Sequence, residues 1–261
     1  MLNKLMKHEL RATSRLLVPL YLILLFISII NRFAFKLYSY SGIVGIISKF
    51  LIVTYVISIF VVIIVTVLYM ITRFYKNLLT DEGYLMFTLP AKTHQLITSK
   101  LLITLLWLII GIIAVLISLL IVFAVPDTVS YTINEIKEIM SILSREFGGS
   151  WVLVFTELIF ISLLSLVGNI LLIYVSIALG QLFSNHKIIG SFAAYMIIYT
   201  VIQFLMILML IPFGVYTSKN SMGVSSLPQV IFPAAIIILM LGCTCFYLAT
   251  DYIFKRKLNL D

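Results

Sequence analysis

The sequence is poor in charge. Only 11% of its 261 residues are Asp, Glu, Lys or Arg, while 62% are hydrophobic. A soluble domain carries ~25% charged and ~45–50% apolar residues, so a surface of this composition excludes an ordinary soluble fold. Cysteine is nearly absent. Cys243 and Cys245 stand two apart in one apolar block, on different sides of a helix, which is a poor geometry for bridging each other. No disulfide framework and no zinc site follow from them. A cleaved signal peptide is not expected either, because the first apolar block begins only near Leu16 and no small-residue cleavage pattern follows it.

The usual catalytic patterns are also missing. The chain has no G-x-x-x-x-G-K-[ST] loop to cradle phosphates, and no H-E-x-x-H, G-x-S-x-G or C-x-x-C. His8, His94 and His186 are too dispersed in sequence to read as a metal site. No catalytic, cofactor-binding or metal-ligating residue is therefore assigned. The formal charge of +8 does not point to nucleic acid, because the cations sit at the ends of apolar blocks, where they anchor spans and set topology.

What is present is a series of long apolar blocks, near Leu16–Asn31, Phe50–Thr72, Leu101–Val125, Trp151–Phe183, Ile188–Val215 and Val230–Thr250. About 20 such residues cross ~30 Å of hydrocarbon. The expectation is an all-α polytopic membrane protein, a single transmembrane domain over 1–261 with six spans. With the N-terminus inside, the inner segments hold 12 of the 18 Lys and Arg and the outer segments 6. That bias favours an N-in, C-in orientation, although Arg32, Lys36 and Lys49 oppose it in the first hairpin.

Three segments outside the spans stand out. Residues 1–15 read as a cytoplasmic amphipathic helix along the membrane surface. Lys4, Lys7, Arg11 and Arg15 recur every three or four positions, and Leu2, Leu5, Met6 and Leu10 mark another side. In the outer loop 126–150, Ile133, Ile136, Met140 and Leu143 fall at helical spacing, predicting a short amphipathic helix before Trp151. The cytoplasmic loop 73–100 is the most informative. Thr80 is placed to cap a short helix, with Asp81 and Glu82 at its positive end. Tyr84, Leu85, Phe87 and Leu89 are apolar groups that need a surface to bury against.

One ionisable residue, Glu157, falls within a span. A carboxylate there is costly unless it faces protein or water. It is a candidate contact for a translocated substrate or a gate; the structural reading, preferred here, is a helix–helix hydrogen bond or a group close enough to the interface to stay wet. Asn169 and Gln203 read as packing contacts. Five of the six blocks have no internal charge, so a pump powered from within these helices is not expected, and active transport would need an external motor.

The run Asp81-Glu82-Gly83-Tyr84-Leu85-Met86-Phe87-Thr88-Leu89-Pro90 resembles the cytoplasmic loop of permease subunits of type-2 ATP-binding-cassette (ABC) exporters of Gram-positive bacteria. The stretch Lys7-His8-Glu9-Leu10-Arg11-Ala12-Thr13, followed by Pro19 at the entry to the first span, is similar to the same family, and the resemblance covers the whole chain. It implies a coupling helix at about Leu79–Pro90 seated on an ATP-binding subunit. Asp81 and Glu82 would pair with that subunit's basic groups, and Tyr84, Leu85 and Phe87 would fill its groove. It implies a second permease copy or a related permease as partner, membrane lipids around the spans, and a cell (plasma) membrane location. ATP and magnesium would belong to the partner, with no cofactor in this chain. The segment 215–229 is short and departs from the re-entrant hairpin that family members often carry before the last span. Apolar span interiors suit an amphipathic cargo such as a peptide, lipid or drug, with a bacteriocin-like peptide preferred. The alternatives are a non-transporting scaffold or a sensor or immunity subunit, which would tolerate loss of Asp81 and Glu82, and an intramembrane enzyme, which would need a polar cluster around Glu157.

Overall fold

The computed structural model describes residues 2–37, 42–79, 92–123, 126–147, 151–183, 186–219 and 227–256. Seven α-helices account for nearly all of them: α1 (Leu2–Leu37), α2 (Ile43–Leu79), α3 (Thr93–Phe123), α4 (Pro126–Phe147), α5 (Trp151–Gly180), α6 (Lys187–Lys219) and α7 (Leu227–Arg256). All but α4 contain a stretch long and apolar enough to cross a membrane. The chain is an all-α, multi-pass membrane protein. Runs such as Ile57-Ser58-Ile59-Phe60-Val61-Val62-Ile63-Ile64 in α2 are β-branched and would suit a strand in water. In hydrocarbon each backbone donor and acceptor must be satisfied within the segment, which selects the helix. The hydroxyls inside the spans follow the same rule. Ser28, Thr66, Ser118 and Ser176 each donate to a carbonyl three or four residues back in their own helix.

The helices form two compact units. The first comprises residues 1–74 and 98–136, and the second residues 75–97 and 137–261. In the first, Leu17, Tyr21 and Leu24 of α1 pack with Tyr55, Val62 and Met70 of α2 and Ile103, Trp107, Ala114 and Val122 of α3. The Tyr21 hydroxyl donates to the Trp107 carbonyl (3.1 Å) and lies 3.2 Å from Thr66 Oγ1. Gly111 leaves it room, since a Cβ there would meet the phenolic oxygen at 3.2 Å. Tyr55 and Ser118 join α2 to α3 through their hydroxyls (3.0 Å). In the second unit α5 is the central helix, packed against both α6 and α7, and its C-terminal half from Ile170 to Gly180 is largely buried. Cys243 Sγ of α7 faces the Leu164 carbonyl of α5 at 3.6 Å.

Two boundaries differ from the sequence reading. Residues 2–15 do not form a separate surface helix but are the first turns of α1, continuous with the first span. The reason is visible in their burial: Glu9 and Thr13 face inward, 4% and 0% exposed. Pro19, inside the helix, removes one donor without ending it. The loop after the second span is also shorter than 73–100, because α2 runs on to Leu79 and α3 starts at Thr93. The amphipathic helix expected within 126–150 is α4. Pro126 stands at its first position, where the missing donor costs nothing, and Ile133, Ile136 and Met140 lie exposed along it. Arg32, which opposed the charge bias, donates through Nη1 to the Ile121 carbonyl (3.2 Å) in the last turn of α3. That end of a helix presents unpaired carbonyls that favour a cation.

Candidate functional site

The site is built around the roots of the loop that joins α2 to α3. Its sequence-predicted residues Asp81, Glu82, Tyr84, Leu85 and Phe87 lie outside the described residues. Its two flanks are described, and both are fastened.

In the first unit the fastening is one carboxylate. Glu9 is the only acidic residue before Asp81, and it projects from the side of α1 opposite Lys4, Lys7, Arg11 and Arg15. Arg73, near the end of α2, donates from Nε to Glu9 Oε1 at 2.6 Å and from Nη2 to Oε2 at 3.4 Å. Lys100, near the start of α3, donates from Nζ to the same Oε1 at 2.8 Å. The Glu9 and Lys100 side chains are each 6% exposed and that of Arg73 19%. Two cations at this distance favour the ionised carboxylate. They also supply the charge-assisted hydrogen bonds that a buried carboxylate requires. One α1 side chain thus ties the helix entering the loop to the helix leaving it.

A second set of contacts lies one turn along α1. Trp107 Nε1 donates to Thr13 Oγ1 (2.7 Å), which donates to the Glu9 carbonyl (2.9 Å). The indole therefore reports on the backbone of the residue that holds the loop's flanks.

In the second unit α7 holds the first turn of α3. Thr93 Oγ1 donates to Asp251 Oδ1 (3.1 Å), and Lys255 Nζ donates to Asp251 Oδ2 (2.5 Å). The Tyr247 hydroxyl donates to the His94 carbonyl (3.2 Å). A carboxylate beside a helix N-terminus is favoured by the unpaired donors there. In the same unit Asn77, Leu78, Leu79, Leu96, Ile97, Ile253 and Phe254 are all buried.

Glu157 sits on α5, half-buried, and its Oε2 is buried with no hydrogen-bond partner among the described residues. Among the described residues no helix–helix hydrogen bond reaches that oxygen, and no cluster of titratable metal-ligating groups occurs. A buried polar atom without a partner costs ~1–3 kcal/mol. Replacing Glu157 with leucine is therefore expected to raise stability by about that amount, read as a higher Tm in mild detergent. A fall in Tm would mean that the carboxylate is held by an interaction within the fold. Asn169 turns its amide back on the Ser165 carbonyl of its own helix (2.7 Å), and Gln203 is exposed. Cys243 and Cys245 are both free thiols.

The sequence reading singled out the loop but not Glu9, Arg73, Lys100 or Thr13 as its supports. The available signal was the position of Glu9: a lone acid in a basic stretch, set on the inward side of the helix.

No protein-family model, curated protein or solved structure matches this chain.

Proposed function

We propose that this chain is the membrane-spanning permease subunit of an ABC exporter, moving an amphipathic cargo with ATP hydrolysed by a separate subunit. The observation that carries the reading is the junction of the loop motif with its supports. The motif Asp81–Pro90 stands between two helices whose flanking cations share one buried carboxylate on α1. A loop that only connects two spans has no need of such a fastening, whereas a loop that transmits force does.

In this account the chain lies N-in and C-in in the plasma membrane, with the loop in the cytoplasm. Tyr84, Leu85 and Phe87 insert into a groove of the ATP-binding subunit, and Asp81 and Glu82 pair with its basic groups. ATP binding draws two such subunits together. Their displacement enters through the loop and reaches Arg73 and Lys100, and Glu9 makes α1 follow. The helix bundle then moves between inward and outward states as packed bodies rather than by bending. A second permease, identical or related, completes the pathway. Glu157 is the candidate contact for cargo or gate, because its unpartnered oxygen has hydrogen-bonding capacity to give. The cargo class is a peptide, lipid or drug, with a peptide preferred.

The test is the ATPase activity and subunit content of the complex purified through this chain, wild type against Asp81→Ala with Glu82→Ala. Removing charge partners from an interface costs ~2–5 kcal/mol, so association is expected to weaken at least about tenfold. An ATPase subunit that binds and turns over equally with both forms would sink the coupling role. Tolerance of both changes would favour a scaffold or sensor.

A further inference from the structure

One face of α1 changes character at a single point. At ~100° per residue, Lys4, Lys7, Arg11 and Arg15 fall within about 80° of one another around the helix. Val18, Leu22, Phe26, Ile29 and Phe33 continue the same stripe. All nine are exposed, with Leu22 and Phe26 at 60% and 65%. The opposite side carries Glu9, Thr13, Leu17, Leu24, Ser28 and Asn31, all buried. The exposed stripe is thus cationic for its first four members and apolar for its next five, and the change falls between Arg15 and Val18.

We propose that this stripe is a binding surface for anionic lipid headgroups, with Arg15 and Arg11 as its main phosphate contacts. The occupant follows from continuity. Val18 to Phe33 is an exposed apolar row on a spanning helix, so it faces acyl chains. The cations that continue the row lie against the headgroups of those same lipids. The length agrees: from Arg15 to Arg32 the helix rises about 26 Å, close to the ~30 Å hydrocarbon layer. Among the described residues none of the four cations is ion-paired, and the sole acid of residues 1–80, Glu9, is turned inward onto Arg73 and Lys100.

Depth ranks the four cations. Arg15 is level with the start of the apolar row. Arg11 lies about 6 Å further out, Lys7 about 12 Å and Lys4 about 16 Å along the axis. The headgroup layer is only ~5–8 Å thick on each side, and charge is screened over ~8 Å at physiological salt. Arg15 and Arg11 therefore reach phosphates directly, Lys7 acts at the edge, and Lys4 contributes least. Arginine suits the inner positions because its fork binds phosphate oxygens in pairs.

The experiment uses the full chain in mild detergent, titrated with phosphatidylglycerol or phosphatidylcholine, with bound lipid counted by native mass spectrometry. Wild type is expected to prefer phosphatidylglycerol. Arg11→Gln with Arg15→Gln is expected to reduce that preference about 25-fold, about fivefold for each cation. Lys4→Gln alone is expected to change it less than twofold. Equal retention of the two lipids by wild type would overturn the proposal, as would a Lys4→Gln effect larger than that of the arginine pair. If the double variant does not purify, salt decides: the wild-type preference must collapse near 1 M salt, where screening acts within ~3 Å, and persistence there would also overturn it. Unchanged lipid selectivity in the double variant, with loss of a bound protein instead, would assign the stripe to an acidic protein surface and overturn the lipid assignment. None of these outcomes depends on whether the chain is a permease.

Discussion

Replacing Glu9 with alanine is expected to destabilise the first unit by ~3–5 kcal/mol, the cost of leaving buried charge without its partner. The carboxylate receives three hydrogen bonds from Arg73 and Lys100, and Lys100 is 5% exposed. Its removal takes away the carboxylate that both cations share, in a site water barely reaches. The size of the loss does not mean that the pair itself is worth that much; most of it is the penalty of leaving buried charge less well compensated. A double variant separates the two. Glu9→Leu with Lys100→Leu is expected to recover part of the loss, because the more buried cation leaves together with the carboxylate, while Arg73, 19% exposed, keeps some access to water. Thermal unfolding in mild detergent measures the first effect, and the four-member cycle measures the coupling. Trp107, bonded to Thr13 one turn from Glu9, adds a spectroscopic readout in a Trp151→Phe background. Its emission is expected to shift to the red as the site loosens. An alanine variant as stable as wild type would remove Glu9 as the fastening of the loop's flanks. If the chain is the permease proposed above, the milder Glu9→Gln is expected to keep the ATP-binding subunit bound but lower transport per ATP hydrolysed, because α1 would no longer follow Arg73 and Lys100.

The second large effect is expected at Gly180, in the hairpin between α5 and α6. A Cβ at this position would stand 2.5 Å from the Ser191 nitrogen and 2.6 Å from its Cα, and closer still to its Oγ. Backbone atoms cannot rotate away as a side-chain tip can, so the two helices must separate. Gly180→Ala is expected to cost ~1–3 kcal/mol, the usual range for overpacking, and Gly180→Leu to prevent the hairpin from closing. Gly242 on α7 is the control, because nothing lies within 4 Å of a Cβ there. Gly242→Ala is expected to be neutral or stabilising, since alanine is the better helix former. Purified yield and Tm of the two alanine variants, measured side by side, decide the matter. Equal behaviour would mean that the α5–α6 approach is looser than the glycine contact implies. Gly190 is less demanding, since its nearest neighbour is the Phe183 ring at 2.7 Å, which can turn.

The spans were legible in the sequence because hydrocarbon imposes a length. Twenty apolar residues such as those of Phe50–Thr72 have few other fates. The amphipathic α4 was legible for a related reason, with Ile133, Ile136 and Met140 at helical spacing and Pro126 at its start. Helix ends were less so. The hydropathy of the second span stops at Thr72, yet α2 continues to Leu79 because Arg73 finds Glu9 and because Phe74, Asn77, Leu78 and Leu79 are buried. Hydropathy measures the preference for lipid and is blind to polar residues that pair inside protein. The same blindness hid the support of the loop. Glu9 has the composition of a surface residue in a basic stretch, and only the approach of α2 and α3 makes it a shared anchor. Gly180 was hidden for a similar reason, since a close approach between helices leaves no trace in the hydropathy of either. Glu157 was found by its rarity in a span, and its unpartnered oxygen keeps it in play as a contact for something outside the described fold.

The most direct test of the central claim is purification of the full chain in mild detergent from its native membrane, with identification of the proteins that come with it. The account predicts a nucleotide-binding subunit among them, with ATPase activity in the purified complex. Recovery of a folded chain with no ATPase attached would take away the motor and contradict the exporter reading.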